Sequence, residues 1–103
     1  MNTEMIAMTL IAHSGDARSM AFQALQAAKN HNFEEADRLM KESQEAATKA
    51  HQGQTDLLIA EANGEKPEIN VLLIHSQDHL MTSMLAQEMV TEMIELYKKL
   101  EEK

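Results

Sequence analysis

Two imidazoles and a carboxylate fall close together in His75-Ser76-Gln77-Asp78-His79, inside an otherwise apolar run. The run reads Ile69-Asn70-Val71-Leu72-Leu73-Ile74 before the cluster and Leu80-Met81-Thr82-Ser83-Met84-Leu85 after it. Each helical residue advances about 100°, so Val71, Ile74, Asp78, Met81, Leu85, Met89 and Leu96 share one stripe. Asp78 is the only charge in that stripe. Enclosed among Ile74, Met81 and Leu85, its carboxylate would lose hydration that only a partner can replace.

His75 and His79 stand at i and i+4, so both rings can face one small site. Three uses compete for them. They can bind zinc, although no third ligand of suitable spacing and no His-Glu-x-x-His pattern accompanies them. They can be ordinary bundle histidines satisfied by hydrogen bonds. Or one can be a nucleophile that accepts a phosphoryl group, with His79, Gln77 and Gln54 as donors to the phosphate oxygens. Asp78 likewise has two readings. If its stripe lined the axis of a cyclic trimer, three carboxylates would converge, and their repulsion would call for a proton or a hard cation such as Mg²⁺. The alternative is a partner within one subunit, Arg18 or Lys49. His31, in a turn, is expected to be solvated, and His13 and His51 carry less signal. The nine methionines read as adaptable packing, with some at the rim of the site serving a docking surface.

The elements that hold these residues are helices. Three glycines and one proline punctuate the chain, and the periodicity predicts a first helix from about Thr3 to Lys29, with Ile6, Leu10, Ala17, Ala21, Ala24 and Ala28 near helical spacing. A bend or a close helix contact is expected at Gly15-Asp16. After the turn Asn30-His31-Asn32, Asn32 and Glu35 read as a capping box opening a second helix to about Ala62. Its small residues Ala46, Ala47, Ala50 and Gly53 would let a neighbour approach closely. Asn63-Gly64-Glu65-Lys66-Pro67 is a loop, and a third helix begins near Ile69 or Asn70 and reaches about Leu100. Lysines close to its end suit the helix dipole.

Short connections make consecutive helices antiparallel neighbours, so the expected fold is all-α, an up-down-up three-helix bundle over a single domain, residues 1–103. Leu73, Leu80 and Met84 lie roughly opposite the Val71/Ile74/Leu85 stripe. One side of the third helix can therefore enter the bundle while the other meets a second subunit, and self-association is the economical expectation.

Composition agrees and excludes several classes. Ala, Leu, Met, Glu, Gln and Lys dominate, and the aromatics are only Phe22, Phe33 and Tyr97. Seventeen acidic against nine basic residues leave a net charge of −8, which disfavours nucleic acid and anionic lipid as partners. No cysteine is present, so there is neither a disulfide framework nor a thiolate zinc site. Met1-Asn2-Thr3-Glu4 lacks the basic start of a signal peptide, and no apolar stretch is long enough for a bilayer. A cytoplasmic protein without membrane insertion is the expectation.

His75-Ser76-Gln77-Asp78-His79-Leu80-Met81-Thr82 closely resembles the active-site helix of the lactose/cellobiose-type IIA components of the bacterial phosphoenolpyruvate-dependent sugar phosphotransferase system. The similarity continues in Ile94-Glu95-Leu96-Tyr97-Lys98, Gly15-Asp16-Ala17-Arg18-Ser19 and Ala50-His51-Gln52-Gly53-Gln54-Thr55, covering nearly the whole chain in order. The resemblance implies a homotrimer of three-helix subunits and a phosphotransferase role in disaccharide uptake. It implies that His75 receives phosphate from phospho-HPr and passes it to the cysteine of a cognate IIB component, which serves the IIC permease. It also implies that Asp78, with its symmetry mates, forms a buried metal site for Mg²⁺, and that His79 and Gln77 position or stabilise the phosphoryl group. Ser76 occupies a position where relatives commonly carry a small residue. A regulatory adaptor that retains this scaffold without chemistry is the alternative. The sugar is not legible, although overall resemblance favours cellobiose or chitobiose over lactose.

Overall fold

The structure, a computed structural model, describes residues 2–102. Every regular element among them is an α-helix: α1 (Thr3–Lys29), α2 (Phe33–Ala62) and α3 (Val71–Glu101). Asparagine opens all three. The side chains of Asn2, Asn32 and Asn70 accept from the backbone N–H of Met5, Glu35 and Leu73 respectively, satisfying donors that a first turn otherwise leaves unpaired.

The exits of α1 and α2 are built alike. After α1 the N–H of His31 donates to the Ala28 carbonyl and that of Asn32 to Ala27; after α2, Gly64 donates to Glu61 and Glu65 to Ala60. Both are Schellman caps, which require a left-handed residue in the middle. Gly64 (φ 90°) adopts that conformation at no steric cost, whereas His31 does so with a side chain (φ 61°). His31 is exposed, as its turn position predicts, but it is not merely solvated. Its Nδ1 lies 2.6 Å from Glu101 Oε2, and its ring meets Phe33 edge-on. The Asn32–Glu35 capping box forms only in part. The Asn32 N–H is already committed to Ala27, and the Glu35 carboxylate is held by Arg38 instead.

Buried positions alternate in steps of three and four along each helix. In α1 they are Ala7, Leu10, Ser14, Ala17, Ala21, Ala24 and Ala28. In α2 Ala36, Leu39, Ser43, Ala46, Ala50 and Leu57 keep the same rhythm, and in α3 Leu73, Ser76, Leu80, Ser83, Val90 and Ile94 do, with half-buried Gln87 at the step between Ser83 and Val90. This is the seam of left-handed helix packing, filled here largely with Ala and Ser, so the backbones can approach closely. Gly53 takes up the missing step in α2, where an added Cβ would lie 3.4 Å from Leu10. The close contact predicted for the small residues of α2 is therefore present. Gly15 differs: α1 runs through it without a break, and a Cβ there would meet nothing within 4 Å, so it makes no close helix contact.

α1 packs along both other helices, whereas α2 and α3 meet along a much thinner seam. The result is a slab of 56 × 21 × 16 Å. Polar ties bridge the thin seam at three levels: Gln54 with Gln77, Ser43 with Gln87, and Asp37 with Lys98. Their opposed numbering shows that α2 and α3 run antiparallel. No helix among the described residues is long and apolar enough to cross a membrane.

The two faces of α3 contrast as its sequence predicts. Leu73 and Leu80 are buried and Met84 packs against the Leu10/Ala50/Leu80 cluster. Val71, Ile74, Met81, Leu85, Met89 and Leu96 are all exposed, Val71 by as much as 83%.

Candidate functional site

His75 is the fifth residue of α3, and the chain that brings it there is short and well fixed. Asn70 caps the helix, Leu73 and Ser76 enter the bundle, and Ser76 Oγ closes on the Leu73 carbonyl at 2.6 Å. With both neighbours in the seam turned inward, His75 is turned outward and is exposed. The reachable imidazole that the motif requires is present. His79 stands one turn on, half-buried, with its ring centroid 4.7 Å from that of His75 and the planes inclined by 59°. The two rings thus form a single polar spot at the surface, one available to react and the other close enough to donate an N–H to whatever the first carries.

The remaining motif residues face elsewhere. Gln77 follows His75 by two residues, about 200° around the helix, and its amide is paired with Gln54. Gln54 Nε2 donates to Gln77 Oε1 at 2.7 Å, and Gln77 Nε2 donates to Gln54 Oε1 at 2.8 Å. Within one chain, therefore, Gln77 is not gathered with the two histidines. The reason is helical phase, because Gln77 flanks the buried Ser76 on its α2 side. Sequence reasoning missed the Gln54–Gln77 pair, although both residues adjoin seam positions, Gly53 and Ser76. The pair borders a groove of about 400 Å³ lined by Leu57, Leu58, Lys66, Pro67, Ile69 and Leu73 among others.

Asp78 points to the other side, into a shallow groove shared with Arg18, Phe22, Thr82, Leu85 and Met89. It is exposed, so in a single chain its carboxylate keeps its water and the hydration loss argued for the stripe does not arise. Neither of its predicted intrachain partners engages it. Arg18 lies over the Phe22 ring, 5.9 Å from its centroid, and no ion pair joins Asp78 to Arg18 or Lys49 among the described residues. No group of three His, Cys, Asp or Glu side chains able to hold a metal ion occurs among those residues either, so His75 and His79 have no third zinc ligand there. His51 is exposed on α2 and His13 half-buried on α1.

Comparison with known proteins places this geometry. Residues 5–98 match the model of the family described as PTS system, lactose/cellobiose-specific IIA subunit. The lichenan-specific phosphotransferase enzyme IIA component of Bacillus subtilis is 45% identical over 104 aligned residues, covering 99% of this chain and 94% of that one. Among solved structures, the cellobiose-specific enzyme IIA from Bacillus anthracis superposes with a TM-score of 0.97 at 51% identity, over 100% of this chain and 94% of that one. The IIA(chitobiose) chain solved in complex with HPr, from the Escherichia coli N,N'-diacetylchitobiose branch, gives 0.84 at 44% identity over 98% of each chain. The chain belongs to the lactose/cellobiose-specific IIA family of the sugar phosphotransferase system. The resemblance to this family is thereby confirmed, while the sugar named varies among these relatives on one fold.

Proposed function

We propose that this protein is a cytoplasmic phosphocarrier in which His75 takes a phosphoryl group from phospho-HPr and hands it to the cysteine of a IIB component during disaccharide uptake. The exposed His75 ring beside His79, in a chain of this family, is the observation that carries the reading. HPr as donor is supported by the IIA(chitobiose) relative solved with it, and the net charge of −8 suits a fast, transient encounter with a basic docking face.

In the first transfer the lone pair of a neutral His75 ring nitrogen attacks phosphorus. The P–N bond to the donor histidine breaks and its electron pair stays on that ring. In the second, the cysteine sulfur attacks as thiolate, the P–N bond to His75 breaks, and the imidazole is regenerated. A loose transition state asks the protein mainly to align the in-line atoms and to steady the equatorial oxygens. An N–H of His79, one turn away, is placed for the second task. The energy arrives already stored in a phosphohistidine, so no nucleotide loop is needed.

The exposed stripe of α3 supports assembly as a homotrimer about an axis lined by Val71, Ile74, Met81 and Leu85. Asp78 would then meet its equivalents in the other copies. One carboxylate with no ligating neighbour in its own chain fits a hard, oxygen-seeking ion such as Mg²⁺ only where symmetry supplies the other donors. Bound there, the ion would cancel the repulsion of the converging carboxylates. Asp78→Asn is expected to lower metal content while leaving helix content unchanged. A monomer in sedimentation, or metal content indifferent to the substitution, contradicts the axial site.

Incubation with phosphoenolpyruvate, Enzyme I and HPr tests the carrier itself. Acid-labile phosphate is expected on the wild type and none on His75→Ala. Partner binding with no phosphate uptake by the wild type would instead mark an adaptor.

A further inference from the structure

We propose that Gln54 is a positioning residue for the His75 transfer step, acting through the Gln77 amide to fix the first two turns of α3 against α2. The inference rests on the phosphocarrier reading and gives Gln54, expected from the sequence to donate to phosphate oxygens, a different task through its bonds to Gln77.

The beginning of α3 has few anchors. Val71 and Ile74 are exposed, Leu73 and Ser76 are buried, and Leu72 and Gln77 are half-buried before His79. Ser76 bonds to its own helix, not to a neighbour. On the α2 side, apolar side chains do not close the gap, because the groove of about 400 Å³ opens there between Leu57 and Leu73. The reciprocal Gln54–Gln77 bonds are therefore the tie that sets how this segment is rotated and seated on α2. The other ties across the seam, Ser43–Gln87 and Asp37–Lys98, lie at least ten residues farther along α3.

The bonding pattern is also selective. With both amides engaged donor to acceptor, flipping either one alone would set oxygen against oxygen and nitrogen against nitrogen. The pair thus accepts one relative orientation, and truncating either member releases both bonds. Because Gln77 is two residues from His75 and two from His79, rotation of this segment displaces both rings together. Transfer between nitrogens depends steeply on alignment. Gln54 is thereby coupled to the chemistry without touching the phosphoryl group.

Single-turnover phosphorylation by phospho-HPr tests this, with Gln54→Ala, Gln77→Ala, the double variant, and Ser43→Ala as a control that breaks another α2–α3 tie. Each glutamine variant is expected to slow transfer by about tenfold, the double variant no more than either single one, and Ser43→Ala not to slow it. Normal rates in Gln54→Ala, a defect confined to Gln77→Ala, or multiplying defects in the double variant would each overturn the proposal. Amide hydrogen exchange at residues 72–79 supplies a readout independent of phosphate. It should accelerate in both single variants and stay unchanged in Ser43→Ala, and protection equal to wild type in Gln54→Ala also overturns the proposal. Failure of the wild type to take phosphate would count against the carrier reading, while exchange still decides the role of Gln54 as a tie.

Discussion

The two ends of the bundle are built on different terms. At the α1–α2 turn, Ala21, Ala24, Ala28, Ala36, Leu39, Met40, Val90 and Ile94 form one continuous core, with Leu25, Phe33 and Tyr97 packed around it. A close contact of His31 Nδ1 with the Glu101 carboxylate and the Lys98–Asp37 ion pair tie α3 to the rest of that end. At the other end the buried cluster shrinks to Leu10, Ala50 and Leu80, and a polar amide pair and an open groove separate α2 from α3. His75 and His79 sit at this sparser end. On the proposed phosphocarrier reading, the molecule thus keeps its stabilising contacts away from the surface where a phosphorylated partner would dock and leave. A site proposed to meet two successive partners would need access more than burial, while the far end can be packed without regard to either.

That contrast can be broken most forcefully at Ile94. Ile94→Ala removes a side chain from the larger core and is expected to cost about 2–4 kcal/mol in urea unfolding, with phosphate uptake at His75 retained while the chain is folded. His75→Ala should do the reverse, abolishing uptake while stability stays within about 0.5 kcal/mol of wild type, since the ring is exposed. If both variants lost both properties, the two ends would not be separable.

A smaller effect sharpens the picture at the sparse end. Gly64 holds φ 90° with open space around the missing Cβ, so Gly64→Ala tests backbone conformation without a clash. The expected loss is about 1–2 kcal/mol in thermal or urea unfolding. An unchanged midpoint would show that the α2 exit does not need its left-handed residue.

The smallest effect lies at the packed end. The hydrogen bond from Arg38 holds the Glu35 carboxyl below its ordinary range, with the Arg38 charge adding to it. A carboxyl whose folded value is depressed contributes stability above its unfolded value, and that contribution fades as pH falls through the lowered one. Glu35→Gln is therefore expected to flatten the acid limb of the melting temperature slightly, with little change elsewhere because the pair is solvent-screened. An acid limb identical to wild type would remove the pair from the account.

Much of this was legible in the chain. The start of α2 could be read because Asn32 precedes a helical run and asparagine has a specific task there, and Gly64 marked an exit for the same kind of reason; the caps at Asn2 and Asn70 emerged only in the structure. The outward face of α3 could be read because an apolar stripe carrying Asp78 cannot share a three-helix core with Leu73 and Leu80. What escaped were relations between helices. Gln77 shares a pentapeptide with His75 but not a face, and its bond to Gln54 depends on the register of α2 against α3, which no local pattern encodes. The partial capping box at Asn32 escaped for a related reason: the preceding Schellman turn had already claimed the same N–H.

The central claim is that one exposed imidazole carries the phosphoryl group. Phosphorylating the protein with phospho-HPr and fragmenting its peptides at alkaline pH, where phosphohistidine survives, locates the modified residue directly. The account predicts phosphate on His75. Phosphate found on His79 or His51 with His75 unmodified would contradict it.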